Sequence, residues 1–469
     1  MTTPQTDKDA NEWREERDTL GPVKVPTWAL WGAQTQRAVD NFGIAASPMP
    51  AEFVRALGLV KWAAAGANAE LGLMHSGMAI AIQHAALEVA DNRHDAHFPV
   101  DVLQTGSGTS SNMNANEVIA RLASQHADAA VHPNDHVNMS QSSNDVIPTS
   151  ISVSAAEAIS QRLLPALRAC IECIEQRSEA FAEIVKTGRT HLMDAMPVTV
   201  GQEFSGWAAQ LSASEARCAS LLQRLSAIAQ GGTAVGTGIN AHPKFGEKVA
   251  VLLSEKTGID FHAAENPFAA MAGQEASAEA AAVLKVIGVT LMKIANDLRW
   301  LNSGPLNGLA EVQLPALQPG SSIMPGKVNP VIPEAVAMAA ARLIGNETAI
   351  TIAAQSGNFQ LNVMLPLIGA TLLDSIGVAS RALNSLNTQC IAELTVNQER
   401  LAASSARNPV LVTALNPVIG YELGAKIAKQ AYASGRPVRD VALELTDLDA
   451  EELDRLLDPL ALTRGGIQH

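Results

Sequence analysis

The sequence predicts an all-α protein built around long helices, and two observations support this fold class. The first is composition: 47% of the 469 residues are apolar, only 4% are aromatic, and alanine is abundant throughout. Alanine has the highest helix propensity and lets neighbouring helices pack closely. The second is a helical period of apolar residues over four long stretches, at 151–186, 279–301, 334–354 and 361–386. Helices of this length are typical of a bundle, and strand signals are weak throughout the chain.

Outside these stretches the pattern changes in chain order. Residues 1–50 are rich in Pro, Gly and Trp, so they are expected to be irregular. Between residues 51 and 129, shorter helical patterns alternate with polar breaks. After about residue 366 the helices shorten again, and the segment SGRPVRDVALELTDLDAEELDRLL indicates a small helical domain in the last part of the chain.

Charge and hydropathy exclude several classes of partner. Charged residues make up 17% of the chain, too few for a disordered protein, and the net charge of −14 disfavours nucleic acid and anionic membranes. The first 21 residues lack the apolar core of a signal peptide, and the apolar stretch 357–373 is interrupted by Asn, Gln and Pro. These features predict a protein outside the membrane, with the cytoplasm as the default location.

The four cysteines indicate neither a metal site nor a disulfide framework. Cys170 and Cys173 form a CxxC, but they fall within a helical period of apolar residues, and no second CxxC or nearby histidine pair accompanies them. Cys218 and Cys390 are isolated. Small apolar positions on helices explain this pattern, which suits a reducing compartment.

Four polar segments interrupt the helical pattern, at 104–116, 132–145, 186–202 and 318–330. All four are rich in Ser, Thr, Asn and Gly and contain few charges. Hydroxyls, amides and backbone N–H groups in such loops suit the binding of an anion. Each loop alone is better explained by ordinary turn chemistry, and it is their number that favours a site.

The segment GSSIMPGKVNP, residues 320–330, is the most informative of these loops. Ser321 and Ser322 precede a single cation, Lys327, and the loop leads into a predicted helix whose N-terminus favours negative charge. Such an environment could activate a serine as a base or hold a carboxylate, although a glycine-rich connector is also compatible with it. A lone histidine such as His191, predicted to lie just after a long helix, is usually structural. It could also donate a proton near neutral pH, with Glu334 as its charge partner if the chain folds back.

Two glycine-rich segments, 106–112 and 231–238, resemble nucleotide-binding loops only superficially. Neither follows a predicted strand, and neither continues as GK[ST]. No phosphate-binding loop is therefore predicted.

Taken together, these segments resemble class II fumarase, of the fumarase/aspartase superfamily, over nearly the whole chain. The superfamily signature GSSxMPxKxN is present at 320–329. TGSGTSSNMNANEV, HPNDHVNMSQSSND, GRTHLMDAMPVTVGQE, GGTAVGTGIN, KIANDLRWLNSGP and SGNFQLNV are similar to fumarase segments and occur in the same order. The resemblance implies three all-α domains, at 1–139, 140–366 and 367–469. The central bundle of long helices would form the core of a homotetramer whose active sites each draw loops from three subunits.

The resemblance also implies a reaction and its residues. The reaction is the reversible hydration of fumarate to (S)-malate, a step of the tricarboxylic acid cycle, with no metal or organic cofactor. Ser321 would be the base that forms an aci-carboxylate, His191 would act as acid or base toward the departing water, and Glu334 would pair with His191. Contacts to the substrate would come from Ser107, Gly108, Thr109, Ser142, Ser143, Asn144, Thr190, Ser322, Lys327, Val328 and Asn329.

A second dicarboxylate site of fumarases would use the HPND segment, which here contributes His132, Asn134 and Asp135. Many relatives carry a basic residue shortly before this segment, whereas this chain has Ala129 and Ala130.

Two alternatives to fumarase remain. Aspartase, which eliminates ammonia from aspartate, uses the same serine loop, and NPVIPEAV and LNPVIG are more typical of aspartases. However, aspartases generally have glutamine at the position of His191 and alanine at that of Gly326. A catalytically silent structural homologue, as in eye lens, is disfavoured because Ser321, Lys327 and Asn329 are all present.

Overall fold

The computed structural model describes residues 12–466. Residues 1–11, where the predicted irregular N-terminal segment and the first predicted domain begin, and residues 467–469 lie outside the described residues. The prediction of an all-α fold is confirmed, since helices dominate and the strands form only two-stranded pairs within the described part of the chain. The division into three domains stays a prediction.

The helices follow the predicted long stretches, with one further long helix. In chain order they are α1 Ala33–Asn41, α2 Ala51–Glu70, α3 Ser76–Ala90, α4 Thr109–Ala123, α5 Ser143–Ala158, α6 Leu164–Ala180, α7 Val200–Leu225, α8 Phe245–Thr257, α9 Pro267–Ala272, α10 Glu275–Leu301, α11 Val331–Ala354, α12 Leu365–Leu386, α13 Gln398–Ser405, α14 Asn416–Ile419, α15 Tyr421–Ser434, α16 Val438–Leu445, α17 Ala450–Leu456 and α18 Pro459–Leu462. Short π-helical segments at Pro133–Val137, Ile159–Leu163 and Asn387–Ile391 and 3₁₀ segments at Asp95–His97 and Pro409–Leu415 complete the helical structure.

The strands are short and pair in twos. They are β1 Trp13–Asp18, β2 Gly21–Pro26, β3 Val185–Thr190, β4 Met193–Thr199, β5 Ala227–Ile228, β6 His262–Ala263, β7 Val312–Gln313, β8 Gly357–Asn358, β9 Leu361–Asn362 and β10 Thr395–Val396. The pairs β1–β2, β3–β4, β7–β10 and β8–β9 are antiparallel, and β5–β6 is parallel.

Four sequence expectations about local structure were wrong. The segment expected to be irregular at the start of the chain contains the β1–β2 hairpin and α1, because charged side chains on its exposed face conceal the strand pattern. The predicted helix 151–186 ends at Ala180, and 185–190 is strand β3. The polar segment 186–202 is a β-hairpin followed by α7. The polar segments 104–116 and 132–145 are loops only in part, since α4 begins at Thr109 and α5 at Ser143.

The chain divides into two compact units, each built from three stretches of sequence. The first comprises Met1–Pro165, Ala216–Gly288 and Ala341–Ser380. Within it α2 packs against α3, α5 and α8. A Cβ on Gly58 of α2 would lie 2.7 Å from the carbonyl oxygen of Ala86 in α3, so glycine permits this close helix pair.

The second unit comprises Ala166–Glu215, Val289–Ala340 and Arg381–His469. Its C-terminal helices enclose an apolar cluster that includes Leu415, Ile427, Val441 and Leu453. The small helical region predicted after residue 435 is confirmed as α16 and α17. In the part of the chain that the structure describes, no helix combines the length and the apolar character needed to cross a membrane.

Candidate active site

The residues singled out from the sequence fall in both units. The second unit contains Thr190, His191, Ser321, Ser322, Lys327, Val328, Asn329 and Glu334, and the first unit contains Ser107, Gly108, Thr109, His132, Asn134, Asp135, Ser142, Ser143 and Asn144. Each group is described within its own unit.

The serine loop of the second unit is closed by hydrogen bonds across its base. The backbone N–H of Gly320 donates to the carbonyl of Lys327 at 2.8 Å, and the side-chain amide of Asn329 donates to the carbonyl of Gly320 at 2.8 Å. A Cβ at position 320 would lie 2.5 Å from the Lys327 carbonyl oxygen, so the closure requires glycine there. The loop ends at α11, which confirms the predicted helix N-terminus.

Ser321 sits inside this loop with its hydroxyl supported by the backbone. Its Oγ accepts hydrogen bonds from the N–H groups of Ile323 at 3.2 Å and Met324 at 3.1 Å. The Nζ of Lys327 donates to Oδ1 of Asn329 at 2.6 Å, and Ser322, Lys327 and Val328 are exposed. Two N–H donors on one oxygen favour its ionised form over the neutral hydroxyl. The loop therefore has the donors that a serine base needs.

Thr190 and His191 lie at the exposed tip of the β3–β4 hairpin, not after a long helix as the sequence predicted. Thr190 pairs with Met193, which leaves His191 and Leu192 as a two-residue turn. Their φ angles are 55° and 60°, as a type I′ turn requires at both central positions. Non-glycine residues are uncommon in this region, and such conformations cluster at functional sites. Within residues 12–466, no hydrogen bond or ion pair joins His191 to Glu334, which lies in the first turn of α11.

In the first unit, three of the predicted substrate-binding hydroxyls form one chain. Oγ of Ser107 and Oγ1 of Thr109 are 2.8 Å apart, and Oγ1 of Thr109 lies 2.7 Å from Oγ of Ser143. Gly108 precedes α4 with φ of 72°, a conformation that favours glycine. The start of α4 thus meets the start of α5, and both helix N-termini favour an anion.

Ser142 and Asn144 are fixed by the start of α5 and by the glycine-rich segment 231–238. The Ser142 side chain caps α5, with Asp145 completing a capping box. The Asn144 side chain donates to the carbonyl of Ala234 at 2.8 Å. The segment 231–238, for which no phosphate site was predicted, thus supports the predicted substrate-binding triplet 142–144.

Sequence reasoning missed Asp145, although the S-x-x-D spacing of a capping box could have found it. Its fully buried carboxylate accepts hydrogen bonds from the N–H groups of Ser142 at 2.9 Å, Gly231 at 3.0 Å and Thr233 at 2.9 Å. Burial raises the pKa of Asp145 to about 6, and these three hydrogen bonds oppose the rise. Asp145 therefore joins α5 to the glycine-rich segment.

Lys61, in the middle of α2, was also missed. Its side chain is fully buried, and its Nζ donates to Oδ1 of Asn138 and Oε1 of Gln141, both at 3.0 Å. Burial lowers the pKa of Lys61 to about 7, and the nearby Asp145 carboxylate opposes this shift. Lys61 thus anchors the turn that leads into Ser142.

The residues proposed for a second dicarboxylate site lie on one exposed π-helical turn. Nδ1 of His132 accepts from the N–H of Asp135 at 3.2 Å, and the N–H of His132 donates to Nδ1 of His136 at 2.8 Å. Asn134 lies on the same turn, Pro133–Val137. The structure brings the three predicted residues together.

None of the four cysteines forms a disulfide bond, and Cys170 and Cys173 lie on α6, as their helical spacing predicts. Burial raises the pKa values of the Cys170 and Cys390 thiols to about 12, which disfavours their thiolates. Among residues 12–466, no group of three or more His, Cys, Asp or Glu side chains is arranged to hold a metal ion.

Comparison with known proteins identifies the family. A family model described as "Lyase" matches residues 21–345, and one described as "Fumarase C C-terminus" matches residues 411–464. The chain is 56% identical over 458 residues to the fumarate hydratase class II of Xylella fastidiosa strain Temecula1, which covers 98% of this chain and 97% of the relative. It is 49% identical over 463 residues to the fumarate hydratase class II of Mycobacterium tuberculosis strain H37Rv, with 98% of each chain covered.

A solved structure agrees with these matches. The crystal structure of class II fumarase from Schistosoma mansoni superposes with a TM-score of 0.93 at 37% identity, covering 96% of this chain and 99% of that one. The chain belongs to the class II fumarase family.

Proposed function

We propose that this protein catalyses the reversible hydration of fumarate to (S)-malate. The observation that carries the proposal is the serine loop, in which Oγ of Ser321 accepts two backbone hydrogen bonds, 3.2 Å and 3.1 Å long, close to the start of α11. Donors fixed before the reaction stabilise developing negative charge without reorganisation. Membership of the class II fumarase family, in which the curated relatives carry the name fumarate hydratase, supports the same reaction.

The proposed chemistry is simplest to follow in the direction of dehydration. Ser321, as the alkoxide, takes a proton from the malate carbon next to one carboxylate, and the electron pair of that C–H bond moves into the carboxylate as an aci-carboxylate. The pair then returns to form the C=C bond as the C–O bond breaks. His191 donates a proton to the departing hydroxide through a water molecule, and Glu334, from another subunit of the tetramer proposed below, balances the charge on His191. Hydration is the reverse of these steps.

Recognition of the dicarboxylate is proposed for the polar groups predicted from the sequence. The hydroxyl chain of Ser107, Thr109 and Ser143 offers neutral donors at two helix N-termini, and Lys327 offers the cation. The remaining proposed contacts are Gly108, Ser142, Asn144, Thr190, Ser322, Val328 and Asn329. Donors of this kind can hold an anion despite the net charge of −14.

We further propose a homotetramer in which each active site takes loops from three subunits. Exposed apolar side chains on α10 and α11 support this assembly, since Val289 and Trp300 are 56% and 55% exposed and Met338 and Ile352 are 68% and 53% exposed. Such a series along long helices indicates a surface that another subunit covers. Sedimentation velocity should show a tetramer, and a stable monomer would contradict it.

Three finer expectations accompany this function. We propose a cytoplasmic location, because four cysteines without a disulfide bond suit a reducing compartment. The exposed turn with His132, Asn134 and Asp135 is proposed as a second dicarboxylate site. The three-domain division at 1–139, 140–366 and 367–469 also stays a prediction.

The proposed function is tested by the product formed. Purified protein is incubated with fumarate, with and without ammonium, while the loss of fumarate absorbance is followed and the product is identified by chromatography. Malate should form at the same rate in both samples. Aspartate as the main product, with no malate, would overturn the proposal in favour of an ammonia-lyase.

A further inference from the structure

Four charged side chains meet beneath the hairpin that carries Thr190 and His191. They are Lys186 and Arg189 of β3, Glu203 of α7 and Glu311, which directly precedes β7; we call them the hairpin charge cluster. Nζ of Lys186 lies 2.7 Å from Oε2 of Glu203 and 2.7 Å from Oε2 of Glu311. The Arg189 guanidinium pairs with Oε1 of Glu311. Glu311 thus contacts both Lys186, near the start of β3, and Arg189, near its end.

Two of the four charged side chains in this cluster are buried, which indicates more than a contribution to stability. The side chains of Lys186 and Glu311 are 2% and 4% exposed. Buried ion pairs seldom stabilise a fold more than well-packed apolar residues of similar volume, because taking charges out of water is costly. Although burial opposes ionisation, the hydrogen bonds and charges of Arg189 and Lys186 hold the pKa of Glu311 below its usual value. The Glu311 carboxylate is therefore held in its charged form, in which it can fix the positions of Lys186 and Arg189.

Glu311 is itself rigidly placed. Its N–H donates to the carbonyl of Leu301, the last residue of α10, at 2.8 Å. Its carbonyl accepts from the N–H of Asn397, directly after β10, at 2.9 Å. Glu311 is tied through its backbone to two elements and through its side chain to β3, so it can act as a fixed reference for the hairpin.

The hairpin needs such a reference because its regular pairing is interrupted just before the tip. The register shifts between Thr187 and Arg189, and a Cβ at Gly188 would lie 2.6 Å from the carbonyl oxygen of Met196. Irregularities of this kind bend a strand and redirect the side chains beyond them. Arg189 is the first residue after the irregularity.

The tip has few restraints of its own. Within residues 12–466, the side chains of Thr190 and His191 make no hydrogen bond or ion pair, and both residues are exposed. His191 and Leu192 also occupy the left-handed region. Among the described residues, the pairing of Arg189 with Glu311 is therefore the ion pair nearest to the tip.

We infer that Glu311, acting through Arg189, is a positioning residue that orients Thr190 and His191 for proton transfer to and from the substrate. The inference rests on the proposed function, in which His191 moves a proton. Glu311 does not contact the substrate. It fixes β3, the strand that leads to Thr190 and His191.

The test compares two carboxylates of the same cluster. Both Glu203 and Glu311 contact Lys186, but only Glu311 contacts Arg189. In full-length protein, Glu311→Gln should lower kcat for fumarate hydration about 10- to 100-fold, the loss that a misplaced catalytic group produces, with a smaller change in KM. The matched control Glu203→Gln should stay within about threefold of the wild type, since its contact does not reach the tip.

A second variant guards against misfolding of Glu311→Gln. Arg189→Met removes the ion pair next to the tip, whereas Glu311, which is 4% exposed, keeps Lys186 as its charged partner. It should reproduce the fall in kcat, whereas Arg189→Lys should recover part of it. Circular dichroism and sedimentation should be unchanged. Turnover by Arg189→Met equal to that of the wild type would overturn the inference.

Two further readouts separate positioning from general destabilisation. The fall in kcat caused by His191→Asn should be much smaller in the Arg189→Met background than in the wild-type background, because a displaced His191 already contributes little to turnover. Full additivity would contradict the inference. Hydrogen exchange of amides 188–194 tests the same idea without turnover: it should be faster in Arg189→Met than in Glu203→Gln, and equal exchange would also count against it. Absence of malate from the wild type would instead overturn the proposed function.

Discussion

Replacing Lys61 by methionine should change how the stability of the protein depends on pH. Lys61 is fully buried in α2 and donates to Asn138 and Gln141. Methionine keeps most of the length of the side chain but carries no charge. Burial, opposed by the Asp145 carboxylate, lowers the pKa of Lys61 from its ordinary value of 10.5 to about 7 in the folded protein.

The size of the effect follows from this pKa. Between about pH 7.5 and 9.5 the unfolded chain keeps a proton on Lys61 that the folded protein has released. Above its ordinary pKa, the burial of Lys61 therefore costs no stability. The cost grows, and the free energy of unfolding falls, as the pH decreases from there toward 7. The free energy of unfolding of the wild type, relative to Lys61→Met, should rise by about 1.4 kcal/mol per pH unit, or about 3 kcal/mol over this range. The pKa of Asp145, about 6, lies below the range.

Urea unfolding followed by circular dichroism measures this difference, at one fixed protein concentration because subunit association would also contribute. Lys24→Met, which removes an exposed lysine from β2, provides the baseline that the Lys61 trend must exceed. A wild-type minus Lys61→Met difference that stays constant from pH 7.5 to 9.5 would refute the reasoning.

Three other predictions concern packing, capping and binding. Gly106→Ala should destabilise the protein by about 1–3 kcal/mol or more, because its Cβ would lie 1.7 Å from the carbonyl oxygen of Val363. Gly43→Ala, with nothing within 4 Å, should melt close to the wild type; equal melting temperatures for both variants would contradict this prediction. Glu117→Gln should lower the free energy of unfolding in urea by about 2–4 kcal/mol. The buried Glu117 carboxylate accepts hydrogen bonds from three backbone N–H groups and one hydroxyl at the start of α1. A loss below about 0.5 kcal/mol would count against this capping role. Lys327→Met should raise KM for fumarate about 10-fold or more in steady-state kinetics, and an unchanged KM would remove Lys327 from the substrate contacts.

The long helices could be predicted from the sequence because alanine-rich segments with a helical period allow few other structures. The ends of α10, α11 and α12 all fall at the predicted residues Leu301, Ala354 and Leu386. Helix α7 was not predicted, because many Ser, Gln and Glu residues weaken its apolar period. The β3–β4 hairpin could not be predicted because residues 190–194 around its tip are exposed and its register is irregular.

The local structure of the serine loop was predictable because the loop lies in one segment. Ser321, Lys327 and Asn329 share a loop, and the loop has the irregular structure and the helical continuation that the sequence predicts. Lys61 was not predictable, because its partners lie 77 and 80 residues away and a lysine within an apolar helix period gives no signal of burial. The contacts of Glu311 likewise depend on tertiary structure, since Arg189 is 122 residues distant.

The central claim is that Ser321 is the base in fumarate hydration. Its most direct test is kcat for fumarate hydration by Ser321→Ala, measured beside the wild type with the oligomeric state of both confirmed by sedimentation. We expect kcat to fall about 10²- to 10⁴-fold, the contribution of a positioned acid or base, while the assembly stays the same. A Ser321→Ala variant that hydrates fumarate at close to the wild-type rate would contradict the account.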